Sequence, residues 1–197
     1  QEICDYTNPP FAKWFKGGET NLCHNALDRH LKDRGDQAAL IFVSTETDQE
    51  ITYTYKQLHA EVQRMAASLL SLGVKKGDRV LIYMPMIAEA SFAMLACARI
   101  GAIHSVVFGG FASGSLASRI EDASPKVIVS ADAGSRGGKV VEYKPLLDEA
   151  IRLSAHKPDS VILVNRGLAK MAMTEGRDIL WSTLRDKHLN DVVPCEW

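Results

Sequence analysis

The sequence lacks a surplus of charge of either sign. Its 23 Lys and Arg residues are matched by 24 Asp and Glu residues, which leaves a formal net charge of −1. A protein that binds nucleic acid or an anionic membrane through its overall field carries an excess of positive charge. We therefore expect neither partner, and any anion site must be a local cluster of cations.

Long hydrophobic runs and cysteine pairs are also missing. No stretch approaches the ~20 apolar residues that a membrane span needs, and the longest candidate, residues 87–100, contains Glu89 and Arg99. The four cysteines form no C-x-x-C pair, which favours a reducing compartment. We expect a cytoplasmic location, with the mitochondrial matrix as the alternative. Cys97 lies in an apolar run and is predicted to be a buried hydrophobic residue.

The spacing of the polar residues predicts no metal site and no catalytic residue in this chain. His24 and His30 lie six positions apart, so they do not share one face of a helix. His104 lies in an apolar strand and is predicted to be a core histidine with its hydrogen bonds satisfied. No Ser, His and Asp arrangement and no pair of carboxylates can be assigned from their order alone.

The first fifty-five residues are predicted to form an arm, a helix and a hairpin. Residues 1–20 lack periodicity and carry Phe11, Trp14 and Phe15, so we expect an extended arm that these aromatics pin to the protein. A helix is predicted from about Asn21 to just before Gly35. Two strands, at residues 38–44 and 51–55, are predicted to pair as a short hairpin.

The remaining chain alternates between strands and helices. Strands are predicted at residues 79–84, 102–108, 126–131 and 160–164. Helices are predicted at residues 56–72, 87–100, 116–122 and within 140–154, and no element is predicted after Arg166. This order is typical of an α/β fold with a largely parallel sheet flanked by helices on both faces. Ligands in such folds bind beyond the carboxyl ends of the strands, which points to the loops at 108–115 and 130–139.

The first of these loops has the G-x-x-x-x-G frame of a phosphate loop, from Gly109 to Gly114. Ser115 and Leu116 stand where that motif needs Lys and then Ser or Thr, so we reject a phosphate loop. The start of the following helix can still offer N–H groups to an anion. A glycine turn needed only for tight packing is an equal alternative.

The second loop, residues 131–139, also follows a strand and contains three glycines. Arg136 and Lys139 flank Gly137 and Gly138, and the two cations could hold a phosphate monoester through charge-assisted hydrogen bonds. A solvated basic turn explains the same residues and is slightly favoured when they are taken alone.

Resemblance to a known family begins at residues 101–111, Gly-Ala-Ile-His-Ser-Val-Val-Phe-Gly-Gly-Phe. This stretch resembles the acetyl-CoA and propionyl-CoA synthetase branch of the AMP-forming, adenylate-forming enzymes. Further matching segments keep the order of the family and cover nearly the whole chain: residues 21–29, 77–80, 83–86, 96–101 and 131–139. The resemblance implies that 1–20 is the arm and 21–197 a partial N-terminal α/β domain. It also implies that the family's ATP phosphate loop and C-terminal domain lie outside this sequence.

The resemblance implies a two-step ligase reaction for the parent enzyme. A short-chain carboxylate attacks the α-phosphate of ATP, held with Mg²⁺, and the resulting acyl-adenylate passes its acyl group to CoA. The implied partners are these small molecules and the remainder of the enzyme. Arg136, Gly137, Gly138 and Lys139 are implied to form part of the CoA site, with both cations near the 3′-phosphate. The same resemblance places Phe108, Gly109 and Gly110 at the CoA adenine, with Val141 touching it.

One departure bears on the substrate. Acetyl-CoA synthetases typically carry Arg where this chain has Lys139, and lysine lacks the guanidinium fork. Lys139 and the amino-acid sequences of residues 20–25 and 166–172 resemble the propionyl-CoA synthetase type, so propionate is favoured over acetate. We expect this chain alone to be inactive. The other readings are an acetate-specific synthetase and a stand-alone, non-catalytic CoA- or nucleotide-binding α/β module.

Overall fold

Small antiparallel hairpins surround a core in which strands and helices alternate. The structure is a computed structural model that describes residues 3–197. The strands are β1 Cys4–Asp5, β2 Lys13–Trp14, β3 Ala38–Ser44, β4 Gln49–Thr54, β5 Arg79–Met84, β6 Ile103–Phe108, β7 Val127–Ala131, β8 Ala133–Arg136, β9 Lys139–Glu142, β10 Ser160–Val164 and β11 Asp178–Leu180. The helices are α1 Leu22–Ala26, α2 Leu31–Arg34, α3 Tyr55–Ser71, α4 Ala88–Arg99, α5 Ser113–Ala123, α6 Tyr143–Leu153 and α7 Trp181–Lys187, with a 3-10 turn Asp28–His30 before α2.

The central sheet has five parallel strands in the order β6-β5-β7-β10-β11. The chain runs from β5 to β6 on one side and then crosses back over β5 to β7 on the other. Because such crossovers are right-handed, the reversal places α4 and α5 on opposite faces of the sheet. In agreement, α4 packs against α3, whereas α5 packs against α6. The predicted parallel sheet with helices on both faces is therefore confirmed, and its topological switch point lies between β5 and β7.

Helices on both faces explain why the inner strands are apolar at nearly every position. Val80, Leu81 and Ile82 of β5 are each 0% exposed, so successive side chains are buried on opposite faces of the sheet. Cys97 of α4 is buried against this core and unpaired, as predicted. Burial raises the pKa of its thiol to about 12.

Helix α3 shows how local sequence signals fix both ends of an element. The Thr54 hydroxyl accepts from the Gln57 backbone N–H at 3.2 Å, and the Gln57 side chain accepts from the Thr54 N–H at 2.8 Å. This reciprocal capping box satisfies two N–H groups that the helix leaves free. At the other end Gly73 adopts a φ of +80°, a left-handed conformation that terminates the helix.

The N-terminal arm is not pinned by its aromatics, so that prediction is wrong. The arm contains the hairpin β1–β2, and Phe11, Trp14 and Phe15 are each at least 64% exposed. Polar contacts within the arm stabilise this hairpin, since the buried Asp5 carboxylate accepts from the Thr7 N–H at 3.0 Å and from Lys16 at 3.0 Å. Residues 1 and 2 of the predicted arm lie outside the described range.

Three further expectations need correction. The helix predicted from Asn21 is interrupted at Leu27, where α1 gives way to the 3-10 turn and then to α2. The stretch after Arg166 contains β11 and α7, which are too short to show a period in the sequence. His104 is only half-buried on the edge strand β6, and its side chain makes no hydrogen bond within residues 3–197.

Across that same range, no helix combines the length and apolarity needed to cross a membrane.

Candidate functional site

A cleft of about 510 Å³ opens beyond the carboxyl ends of β5 and β6, beside the switch point of the sheet. The residue that ends β5, the β3–β4 turn, the end of β6 and the β8–β9 hairpin all contribute to its walls. Five of the residues singled out from the sequence line it, namely Phe108, Gly109, Gly110, Arg136 and Val141. The structure thus brings both sequence-predicted segments to one site, although they lie on different strands.

Close approach of side chains explains the two glycines that follow β6. A Cβ atom on Gly109 would lie 2.3 Å from the Tyr143 hydroxyl, and one on Gly110 would lie 2.5 Å from the Phe108 ring and 2.7 Å from an Arg136 nitrogen. All three distances are far below van der Waals contact, so neither position accepts a side chain without movement. Of the two readings left open for this loop, tight packing has direct support in the geometry.

The second predicted loop is a hairpin, which corrects the expectation for residues 131–139. Strands β8 and β9 pair antiparallel, with Arg136 opposite Lys139. Gly137 and Gly138 form a two-residue turn with φ values of +58° and +76°, which suits glycine at both positions. The Gly-Gly pair between two short runs was the sequence signal for this turn.

The two cations of this hairpin occupy different places. Arg136 lines the cleft, with its guanidinium 5.8 Å from the centre of the Phe108 ring. Lys139, Gly137 and Gly138 lie at the exposed turn and are not part of the cleft lining. Within residues 3–197, neither Arg136 nor Lys139 has a carboxylate within 4.0 Å, so both charges face solvent.

Sequence reasoning missed two charged residues of the cleft, Glu46 and Arg166. The Glu46 carboxylate accepts a hydrogen bond from the Ser135 backbone N–H at 2.5 Å and pairs with the Arg166 guanidinium. Arg166 also donates to the Ala133 carbonyl at 2.9 Å. No local pattern indicates these contacts, because Glu46 lies 120 positions from Arg166 and 89 from Ser135.

Asp132 is the buried anchor of the hairpin and was also missed. It is 0% exposed, and its carboxylate accepts from the backbone N–H groups of Ala133 at 2.7 Å, Leu168 at 2.8 Å and Ala169 at 3.3 Å. Such donors compensate the loss of water around a buried charge. Asp132 therefore joins the start of β8 to the segment that follows β10.

Tyr143 lines the cleft, and the fully buried Tyr83 lies behind it. The rings of Tyr83 and Tyr143 lie 5.1 Å apart, and Tyr83 donates to the Phe111 carbonyl at 3.2 Å. Burial raises the pKa of Tyr83 to about 12. Burial also raises the pKa of Tyr143, and the negative charge of Glu46 adds to this. Both hydroxyls stay protonated near neutral pH, so the cleft combines flat apolar surface with the single solvent-facing cation of Arg136.

A second cluster, distant in sequence, brings together Cys23, Asp28 and Cys195, with ligand atoms within 4.8 Å of one another. The Arg99 guanidinium already occupies this place, at 2.8 and 2.9 Å from the two Asp28 oxygens and 3.4 Å from the Cys23 sulfur. Burial raises the pKa of Cys23 to about 11, which opposes the thiolate that a metal requires. The geometry fits a buried ion pair rather than a metal centre.

Fold and cleft together define an α/β domain with an open cleft at the carboxyl ends of its strands. A family model described as AMP-binding enzyme matches residues 27–185, and one described as Acetyl-coenzyme A synthetase N-terminus matches residues 1–26. The chain belongs to the AMP-binding enzyme family, which confirms the resemblance inferred from the sequence.

Within this family, the chain is similar in sequence to ligases that act on short-chain carboxylates, as their names state. The chain is 63% identical to a propionate–CoA ligase of Salmonella typhimurium and 61% identical to one of Escherichia coli, over 100% of this chain and 31% of each relative. It is 54% identical to an acetyl-coenzyme A synthetase of Methylobacterium radiotolerans, over 86% of this chain and 26% of the relative. The chain thus spans less than a third of the length of these relatives.

Proposed function

We propose that this chain is part of an AMP-forming ligase that activates a short-chain carboxylate, and that its cleft holds part of CoA. The single observation that carries the proposal is the placement of Arg136, a solvent-facing cation, beside the exposed Phe108 ring. An adenosine 3′-phosphate offers an aromatic base and a phosphate monoester, and this pair of side chains complements both.

The walls of the cleft suit an adenine. The Phe108 ring is 64% exposed, and it packs edge-on against Phe111 with ring centres 6.0 Å apart. A supported but uncovered ring can stack with a base on its free face. Val141 is half-buried in the lining of the same cleft and adds apolar contact.

The tip of the hairpin suits the phosphate. Arg136 and Lys139 are directly opposite residues of the two strands, and side chains at such paired positions project from the same face of a hairpin. A phosphate bound at that face by Arg136 is within the reach of the long, exposed Lys139 side chain. Arg136 offers the planar fork of donors that matches phosphate oxygens, whereas Lys139 acts as a point charge. Gly137 and Gly138 at the tip leave room for the backbone to approach the ligand.

In the proposed reaction the parent enzyme joins the carboxylate to the α-phosphate of ATP, releases pyrophosphate, and transfers the acyl group to CoA with release of AMP. ATP, Mg²⁺ and the carboxylate are proposed to bind mainly to parts of the enzyme outside this sequence. Propionate is the favoured substrate, because the two relatives of 63% and 61% identity are propionate–CoA ligases. Acetate is the second candidate, and the relative of 54% identity supports it.

Titration of the 197-residue chain with CoA and with 3′-dephospho-CoA tests the proposal. The two ligands differ only in the phosphate monoester that Arg136 and Lys139 are proposed to contact. We expect CoA to bind more tightly by about tenfold, the size of one charge-assisted contact. Equal affinity would remove the CoA assignment and favour a nucleotide-binding module of another kind.

A further inference from the structure

Two polar contacts hold the β8–β9 hairpin in place at the cleft. The Ser135 N–H donates to Glu46 at 2.5 Å, and Arg166 donates to the Ala133 carbonyl at 2.9 Å. Residues 135–140 are exposed, so no burial of apolar side chains fixes the tip of the hairpin. Asp132 anchors the base of the hairpin, and the position of the exposed tip depends on these two hydrogen bonds.

The ion pair of Glu46 and Arg166 joins three separate parts of the chain. Glu46 lies in the β3–β4 turn, Arg166 follows β10, and Ser135 belongs to β8. The side chains of Arg166 and Glu46 are 6% and 21% exposed. Electrostatic contacts that are largely shielded from water are stronger and better defined than surface pairs.

The pair also determines which cation of the cleft remains available. Glu46 and Arg136 line the same cleft, and an unpaired carboxylate there would attract the nearest guanidinium. Because Arg166 pairs with Glu46, the carboxylate can position the backbone at Ser135 while Arg136 still faces solvent.

We propose that Glu46 is a positioning residue for Arg136, and that it thereby sets how strongly the cleft prefers a ligand with a phosphate monoester over the same ligand without it. This inference rests on the proposed CoA site. Ser135 directly precedes Arg136, so the hydrogen bond to Glu46 fixes the peptide from which the Arg136 side chain extends. Loss of that bond frees the guanidinium from its place beside the Phe108 ring.

Two substitutions at Glu46 distinguish its hydrogen bond with Ser135 from its ion pair with Arg166. Glu46→Ala removes both the acceptor for Ser135 and the partner of Arg166. Glu46→Gln keeps an oxygen that can accept from the Ser135 N–H but removes the charge. Glu50→Gln is the matched control. Glu50 is exposed on β4, in the same β3–β4 hairpin as Glu46, and it does not line the cleft.

The ratio of affinities for CoA and 3′-dephospho-CoA in the 197-residue chain is the first readout. We expect Glu46→Ala to lower the preference for CoA about three- to tenfold, since a misplaced charge-assisted contact loses most of its strength. Glu46→Gln should lose less, and Glu50→Gln should match the unaltered chain. An unchanged preference in Glu46→Ala, alongside a lost preference in Arg136→Ala, would overturn the positioning role.

Hydrogen exchange at the Ser135 amide is the second readout and needs no ligand. We expect faster exchange there in Glu46→Ala, with the amides of β5 unchanged, and slow exchange retained in Glu46→Gln. If the unaltered chain binds both ligands equally, the CoA assignment fails, and the Ser135 amide alone decides the claim about Glu46. Unchanged exchange in Glu46→Ala would then overturn it.

Arg166→Met tests whether the ion pair acts on the charge of Arg136 and not only on the stability of the fold. This variant leaves the Glu46 carboxylate without its partner, so we expect Glu46 to compete with phosphate for Arg136 and the CoA preference to fall. Adding Glu46→Gln removes the competing charge and should restore part of the preference. If the double variant prefers CoA over 3′-dephospho-CoA no more than Arg166→Met alone does, then Arg166 does not keep Glu46 from pairing with Arg136, and this part of the proposal is wrong.

Discussion

Arg99, the last residue of α4, donates two hydrogen bonds to the carboxylate of Asp28, at 2.9 and 2.8 Å. The Arg99 side chain is 4% exposed and that of Asp28 is 18% exposed. Arg99 also donates to the Val193 carbonyl at 2.6 Å. One guanidinium thus joins the central helix α4, the 3-10 turn and the segment that follows α7.

Arg99→Met should be one of the most destabilising single changes in this chain. Removing one partner of a buried ion pair leaves an uncompensated charge, which typically costs about 3–5 kcal/mol. Urea denaturation followed by circular dichroism measures this loss. Arg152→Met is the control, because Arg152 forms an exposed pair with Glu149, and it should leave the unfolding midpoint unchanged. Equal midpoints for both variants would show that the Arg99 pair is not buried in solution.

The same pair predicts a difference in pH dependence. Burial opposes the charge on Asp28, but the hydrogen bonds from Arg99 outweigh it and lower the pKa of this carboxyl below its usual 3.8. A lowered pKa gives stability that is present above about pH 4 and is lost as the pH falls through the folded-state value.

In Arg99→Met, burial acts on Asp28 without the guanidinium and should raise the pKa of its carboxyl, with only the neighbouring His59 left to oppose this shift. Acidification from pH 7 toward pH 4 should then narrow the stability gap between the variant and the unaltered chain, because protonation removes the unpaired charge. Denaturation curves at pH 7, 5.5 and 4 provide the measurement. A gap that stays constant or widens would contradict this assignment.

Gly110 and Gly114 form a matched pair for testing the cleft. A Cβ on Gly110 meets the Phe108 ring at 2.5 Å and Arg136 at 2.7 Å, whereas one on Gly114 meets nothing within 4 Å. Gly110→Ala should therefore displace both side chains and lower the preference for CoA over 3′-dephospho-CoA. Gly114→Ala lies in α5 and should keep the preference while stabilising the fold by up to about 1 kcal/mol. Equal ligand preferences in the two variants would place the ligand elsewhere.

The 197-residue chain by itself is predicted to make no acyl-adenylate. The family resemblance implies that the loop that binds the triphosphate and the lysine that assists adenylation are not among these 197 residues, so we expect the charges that stabilise the transition state to be missing from the isolated chain. Pyrophosphate release with ATP, Mg²⁺ and propionate should stay at background. The Salmonella propionate–CoA ligase serves as the positive control. Release above background from this chain would contradict the prediction.

Much of the fold could be predicted because the inner strands of the sheet are recognisable as short apolar segments in the sequence. Strands β5 and β10 match the predicted bounds residue for residue, since each is a short apolar run between turns and is buried on both faces. The limits of α3 were also predicted to within a residue, because its apolar residues repeat at helical spacing and Gly73 marks its C-terminal end.

The elements that were missed depend on contacts distant in sequence. Strands β8 and β9 have four residues each and are rich in polar side chains, so they show no periodicity. Contacts from Glu46 and Arg166 hold this hairpin, and a local pattern cannot reveal them. The sequence therefore predicted Phe108 and Arg136 as candidate site residues but not the ion pair behind them.

The most direct test of the central claim is the phosphate preference of Arg136→Ala. Affinities for CoA and 3′-dephospho-CoA are measured by calorimetry in the unaltered chain, in Arg136→Ala, and in Arg152→Ala as a control outside the cleft lining. We predict that the unaltered chain and the control prefer CoA and that Arg136→Ala binds both ligands equally. A preference for CoA that survives in Arg136→Ala would contradict the assignment of the 3′-phosphate to this hairpin.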